Sequence, residues 1–298
     1  MPTKKKSIPS PIPETNILKL IEDYEVLLLD AYGVLVTHIG TIPGAVEAVQ
    51  KLNNTKKSYF ILTNDASRSP ETSSQRYERM GLHIDPEKII TSGFLLKRYF
   101  KENKLEGAKC IVLGTEDSAD YVRNAGGEVV SLLDHSEPDA DILIVCDEHG
   151  YPLLETMDGA LTFLYHRLDR GKKVRLLLPN PDLIYPVGEI RYGFTSGALA
   201  GMLEAAIRFR YPDLGEEMKF EPMGKPYSPI FDEAYLRSST KDMIMLGDQL
   251  KTDIKGALDF GIAAALVTTG LTSKKVITKE ILKNRGIRPT YLLKDLAL

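Results

Sequence analysis

From Glu25 onward, short apolar runs of strand length alternate with segments whose apolar residues recur every three or four positions. That alternation is the signature of βαβ units, and it constrains the chain to an α/β fold, a parallel sheet covered by helices on both faces. Val26–Leu29 reads as the first buried strand. After a Gly-containing loop, Pro43 opens a helix over residues 43–53 with Ala45, Val46, Val49 and Leu52 on one face. Residues 58–62 form the next strand, Pro70 starts a second helix that Gly81 stops, and Ile89–Thr91 makes a short third strand.

From about Gly93 to Thr195 the alternation restarts, with strands at residues 109–113, 128–130, 141–146 and 174–178 and a helical segment at 153–170. A stretch of about 100 residues with its own strands is large enough to be a domain. It is therefore read as an α/β insertion, residues 93–195, in a core made of residues 1–92 and 196–298. In that reading the core resumes with a helix at 197–210 and a strand before Gly224. The strand 243–246, a helix at 252–260, the strand Ala263–Val267 and a closing helix from Lys275 complete it.

The 298 residues, 43% of them hydrophobic, suffice for a sizeable core and for about two domains. A net charge of −3 with both signs mixed throughout gives no footprint for nucleic acid or for an anionic membrane surface. The one basic run, Lys4-Lys5-Lys6, lies in a proline-rich start that reads as a solvated arm. No apolar stretch reaches the ~18 to 20 residues that span a bilayer, and no hydrophobic segment follows the lysines as in a signal peptide. The expected location is the cytoplasm. Cys110 and Cys146 sit inside apolar runs and read as small buried hydrophobes, and the five histidines lack the spacing of a zinc site.

Four short blocks carry chemistry: Asp30-Ala31-Tyr32-Gly33-Val34-Leu35, Thr63-Asn64, Gly224-Lys225-Pro226 and Gly247-Asp248-Gln249-Leu250-Lys251-Thr252-Asp253. The first, second and fourth directly follow apolar strands, so they converge at the carboxyl ends of neighbouring strands, where open α/β sheets build their sites. Asp30 can attack phosphorus and form an aspartyl-phosphate. The Thr63 hydroxyl and nearby N–H groups can hold phosphate oxygens, and Lys225 supplies a fixed cation. Asp248 at a strand end and Asp253 on the following helical turn offer the hard oxygens that Mg²⁺ requires. Each block alone has a bland reading as a turn or a helix start. All four in this order describe a phosphoryl-transfer site.

The set resembles the haloacid dehalogenase-like superfamily of phosphohydrolases. The likeness extends from about Glu25 to Leu298 through Pro43-Gly44-Ala45, Leu62-Thr63-Asn64 with Ser67-Arg68, Thr91-Ser92, Asn180-Pro181-Asp182, and Leu266-Val267 with Thr269-Gly270. These residues look like class IIA, the NagD and p-nitrophenyl phosphatase type, whose members carry a large α/β cap where this chain has its insert. The resemblance implies a Rossmann-like core, Mg²⁺ as cofactor and a small phosphorylated metabolite as substrate; relatives are commonly dimers, which leaves a homo-oligomer open. By position, it implies Asp30 as nucleophile and metal ligand, the Tyr32 carbonyl as a second ligand and Asp248 as a third with Asp253 behind it. Thr63, Asn64 and Lys225 would hold phosphate, with Lys225 also counted as catalytic.

The chain departs from the family pattern at Tyr32, where the resemblance expects a second Asp that protonates the leaving oxygen and then activates water. A phenol of unperturbed pKa ~10 is a poor base near pH 7. Asp65 and His38 are nearby groups that could take the role, or nothing does. A catalytically weakened phosphometabolite-binding or regulatory protein is therefore the rival to an enzyme. Substrate selection is expected from the insert, with Glu148 in the loop Asp147-Glu148-His149-Gly150 and Asn180 and Asp182 in Asn180-Pro181-Asp182 as the side chains that could reach the site; both loops equally suit ordinary strand-to-helix turns.

Overall fold

A computed structural model describes residues 11–132, 139–187, 191–268 and 287–298 of the chain. Seven strands form one parallel sheet in the order Glu14–Thr15, Tyr291–Leu293, Ala263–Val267, Met243–Gly247, Val26–Leu29, Ser58–Thr63 and Ile89–Thr91. Val26–Leu29 lies in the middle and is buried along its whole length, which is why it reads as an unbroken apolar run rather than an alternating one. Leu27 and Leu29 face a cluster that includes Val49 and Leu52 of the helix Ala45–Asn54. Val26 and Leu28 face the opposite cluster, with Phe231 of the helix Ser228–Ser238 and Ala257 of the helix Lys255–Phe260. Leu29 is in register with Leu246 on one side and Ile61 on the other. The chain therefore leaves all three strands at the same edge of the sheet.

The four strands expected in the insert make a second parallel sheet, and a fifth joins them: the order is Glu221–Pro222, Arg175–Leu178, Ile142–Val145, Lys109–Leu113, Glu128–Val129. The fifth strand corrects the expected return to the core at residue 196. Glu221–Pro222 pairs with Arg175–Leu178, and the helix Ser196–Arg210 sends Leu199, Ala200, Leu203 and Ile207 into the cluster under this second sheet. An amphipathic helix and a two-residue strand fit the edge of either sheet, so local pattern could not decide between them. The chain rejoins the first sheet only through the loop that carries Lys225.

Elements beyond the expected ones also appear. The reading of the proline-rich start as a solvated arm falls mostly on residues 1–10, outside the described residues; directly after it Glu14–Thr15 pairs with Tyr291–Leu293, and the helix Ile17–Asp23, capped by the Asn16 side chain on Lys19 N–H, buries Ile17 and Leu20. Two antiparallel hairpins were also unforeseen, Val36–Thr37 with Gly40–Thr41 and Ile184–Pro186 with Tyr192–Phe194. Residues 1–10, Thr269-Gly270 and the helix expected from Lys275 lie outside the described residues. Cys110 and Cys146 are free and buried, and burial pushes the Cys110 thiol up to about 12 and raises Cys146 as well. Among the described residues no helix is long and apolar enough to cross a membrane.

Candidate active site

At the common edge of the three strands Asp30, Thr63 and Asp248 come together and line up with Lys225, which arrives from the loop after Glu221–Pro222. Asp30, Thr63, Lys225, Asp248 and Asp253 are all buried. Asp30 Oδ1 accepts from Ala31 N–H at 2.7 Å and from Lys225 Nζ at 2.7 Å. Its other oxygen has no partner among the described residues, which leaves it as the atom able to attack. Burial pushes the Asp30 carboxyl up to about 7, helped by the charge of Asp253 and opposed by Lys225. Burial works against the Lys225 charge, but Asp253 and Asp30 outweigh it and hold the ammonium well above its ordinary range.

Asp253 behaves as a support. Its Oδ1 takes Lys225 Nζ at 2.7 Å and its Oδ2 takes Gln249 N–H at 3.1 Å, so both oxygens are engaged without a metal. Asp248 is different: its Oδ1 is fully buried and has no hydrogen-bond partner. Burial, then the charges of Asp253 and Asp30, raise its carboxyl well above the usual range. Donor atoms of Asp30, Asp248 and Asp253 lie within 4.8 Å of one another. An orphaned carboxylate oxygen among hard oxygen donors fits Mg²⁺. Gly33 makes room for this: its φ is +92°, and a Cβ there would stand 2.3 Å from Asp248 Oδ2. The turn at Ala31 to Val36 is closed by bonds to the carbonyls of Ala31 and Val36, and the Tyr32 carbonyl accepts none of them.

Thr63 Oγ1 accepts from Asp65 N–H at 3.2 Å, which leaves its own hydrogen for a ligand. The Asn64 side chain does not have that freedom. Its Oδ1 accepts from Lys225 N–H at 2.7 Å, and its Nδ2 donates to Lys225 C=O and to Asp182 Oδ1, both at 3.0 Å. The amide clamps the backbone that carries the lysine.

The two groups suspected of replacing the missing acid are also placed. Asp65 accepts from Ser67 N–H and Oγ on one oxygen and from Arg68 on the other at 2.8 Å, so it is a loop-closing carboxylate. His38 lines the cavity on the first hairpin, and its backbone N–H donates to the Tyr32 hydroxyl at 3.1 Å. That hydroxyl donates in turn to Pro186 C=O at 3.3 Å, on the second hairpin. The Tyr32 side chain thus bridges two hairpins.

A cavity of about 590 Å³ runs between these groups and the insert. Glu148, Asn180 and Asp182 all line it. Thr195 Oγ1 donates to Glu148 Oε2 at 2.7 Å and accepts from Asn180 Nδ2 at 3.3 Å, and Asn180 Oδ1 accepts from Asp182 N–H at 3.0 Å. Burial pushes Asp182 up to about 6 against the pull of Lys225 and Asn64, and burial also raises Glu148. The same wall holds residues the sequence reading passed over, among them Arg76, Tyr77 and Tyr185. Arg76 and Tyr77 lie on a helix whose register against the cavity no local motif announces.

A parallel sheet whose strand ends gather a buried carboxylate, a lysine and an acid pair has the build of a phosphohydrolase on an α/β core. The chain belongs to the haloacid dehalogenase-like hydrolase family, in its class IIA branch. It matches that family over residues 27–128 and a second HAD-hydrolase-like family over residues 222–298. It is 26% identical over 283 residues to an acid sugar phosphatase of Staphylococcus haemolyticus, covering 93% of this chain and 95% of that one. A possible sugar phosphatase from Cytophaga hutchinsonii superposes with a TM-score of 0.82 at 31% identity, over 97% of this chain and 99% of that one. A p-nitrophenyl phosphatase from Archaeoglobus fulgidus gives 0.75 at 26% identity, over 92% and 97%.

Proposed function

We propose that this chain is a Mg²⁺-dependent phosphohydrolase of small phosphorylated metabolites that works through an aspartyl-phosphate on Asp30. The observation that carries the reading is the half-free Asp30 carboxylate held by Lys225 beside the orphaned Asp248 oxygen. Asp30, Asp248 and the Tyr32 carbonyl would hold Mg²⁺, with Asp253 fixing Lys225 behind them. When bound, the ion neutralises charge on the transferring phosphoryl group and on the nucleophile. The free Asp30 oxygen forms the new bond to phosphorus as the bond to the substrate's leaving oxygen breaks, and that oxygen takes a proton from cavity water. Water then cleaves the acyl phosphate and releases inorganic phosphate. Thr63 Oγ and Lys225 Nζ orient the phosphoryl oxygens through both steps. Residues 93–195, with the helix and strand that follow them, serve as the cap that keeps bulk water from the site. The buried, unpaired cysteines suit a reducing cytoplasm.

One observation favours the rival of a weakened enzyme or phosphometabolite binder: the Tyr32 hydroxyl, at the position of the expected acid, is engaged by His38 and Pro186. Release of p-nitrophenol from p-nitrophenyl phosphate, with and without Mg²⁺, in wild type and Asp30→Asn separates the two. Turnover that needs Mg²⁺ and falls by about 10³ or more in Asp30→Asn is expected. Tight phosphate binding with no turnover in wild type would establish the rival.

A further inference from the structure

The helix Pro70–Glu78 puts two consecutive side chains, Arg76 and Tyr77, on the wall of the cavity. Tyr77 is 3% exposed, and its hydroxyl has no hydrogen-bond partner among the described residues. The residue belongs to the apolar cluster on one face of the core sheet and also lines the cavity. A buried phenol donor facing an open cavity without a partner is costly unless something in the cavity accepts from it. Burial, then the charge of Asp65, raises its pKa, so it remains a donor at any working pH.

Arg76 adds the charge. Three permanent cations line the cavity, and two of them are matched: Arg68 by Asp65 at 2.8 Å, Lys225 by Asp30 and Asp253 at 2.7 Å each. Arg76 has no hydrogen bond or ion pair among the described residues. A guanidinium fork and a phenol O–H that line one cavity offer several donors and one positive charge, which suits a planar monoanion with two oxygens.

We propose that Arg76 and Tyr77 form a second subsite that takes a carboxylate of the substrate, remote from the phosphate to be cleaved. The substrate class is then a phosphorylated hydroxy acid rather than a neutral sugar phosphate or polyol phosphate. This rests on the phosphatase reading of the same cavity and sharpens it. No chemistry is required of either residue: they select and position.

The matched probes are 3-phosphoglycerate and glycerol 3-phosphate, which share a three-carbon skeleton and differ at the far end in carboxylate against hydroxymethyl. Titration calorimetry in Mg²⁺ on the full chain carrying Asp30→Asn reads both affinities without turnover. The preference for 3-phosphoglycerate is expected to be about 10- to 100-fold, the range of a charge-assisted pair in a partly desolvated site. Adding Arg76→Gln should bring the ratio close to one, Arg76→Lys should restore part of it, and Tyr77→Phe should lower it several-fold. Because each ratio is taken within one variant, a loss of folded protein cancels. Equal affinities in the parent, or a ratio that Arg76→Gln leaves unchanged, overturn the subsite while the phosphate site stands. If neither phosphoester binds, the phosphate-site reading falls and the subsite falls with it.

Discussion

The insert meets the parallel core along two seams of different construction. At one, the helix Glu116–Asn124 and its cap grip the loop after Thr63: Thr115 Oγ1 donates to Ser67 C=O at 2.6 Å, Ser118 Oγ to Ala66 C=O at 2.8 Å and Tyr121 Oη to Arg68 C=O at 2.6 Å. Asp117 accepts from Ser69 N–H at 2.8 Å, and beneath these bonds one apolar cluster runs unbroken from Leu62 and Ile90 to Cys110 and Ile142. At the other seam Tyr32 reaches Pro186 by a single bond of 3.3 Å. Around it Ile39 is 84% exposed and Phe194 74% exposed. Buried, multiply bonded contacts open only at a large fraction of the global unfolding free energy, whereas a lone, partly buried bond opens more readily. The loop that shapes the phosphate site is thus held from both sides, and freedom is left at the two hairpins, where a substrate must enter.

The largest effect tests what Tyr32 does at the loose seam. Tyr32→Asp should raise hydrolysis of alkyl phosphates by up to ~10² to 10⁴ and that of p-nitrophenyl phosphate much less, since a phenolate leaves without full protonation. Brisk alkyl-phosphate turnover by wild type that no Tyr32 substitution changes would remove this residue from the chemistry. At the tight seam, Tyr121→Phe strands the Arg68 carbonyl and the Thr91 hydroxyl, which sits 2.6 Å from the phenol oxygen. A loss of about 1 to 3 kcal/mol in denaturant unfolding is expected; a loss under about 0.5 would mean the seam is not fastened there.

Hydrogen exchange sharpens the contrast without mutation. Amides of residues 64–69 should exchange at least about tenfold more slowly than those of residues 36–41 and 184–185, and a phosphate analogue with Mg²⁺ should protect mainly the second set. Equal exchange would erase the distinction.

A smaller effect concerns Asp182, which leans from the insert onto Asn64 between the seams. Its folded pKa of about 6 lies above the unfolded value near 3.9. The stability that its protonated form contributes is therefore fully present below about pH 4 and is lost as pH rises through about 6. Asp182→Asn keeps the acceptor oxygen but cannot ionise. In chelator, its stability relative to wild type should improve from pH 4 to pH 7.5, by on the order of 1 kcal/mol because the carboxyl keeps some contact with cavity water. A relative stability that falls over that window would show the ionised form to be the favoured one. Smallest of all, Tyr32→Phe should change unfolding free energy by less than about 0.5 kcal/mol, as expected of a partly exposed bond at a mobile edge.

Three of the four chemical blocks were legible because each follows a strand that had to be buried. Central parallel strands read as apolar runs, and the residues after them fall at one edge whatever the rest of the chain does. Nothing comparable marks residues 196–222, whose helix and short strand carry apolar faces that either sheet could cover. Nor does the sequence show that the Asn64 side-chain amide is taken by the Lys225 backbone 161 positions away. Arg76 and Tyr77 went unnoticed because a single helical turn gives no hint of which cavity it borders.

What the sequence determined alone was therefore local and periodic: the parallel core sheet, the four strands of the insert, and the order of nucleophile, hydroxyl, lysine and acid pair. Tertiary structure alone decided which sheet the chain from 196 to 222 joins, that Tyr32 ties two hairpins together, that Asp65 and Asn64 are engaged in shaping loops, and which Asp248 oxygen is left without a partner. The physical reason is range. Burial along a strand and the turn that follows are imposed by neighbours in sequence, whereas hydrogen-bond partners, seams and charge balance inside a cavity are set by contacts between segments a hundred or more residues apart.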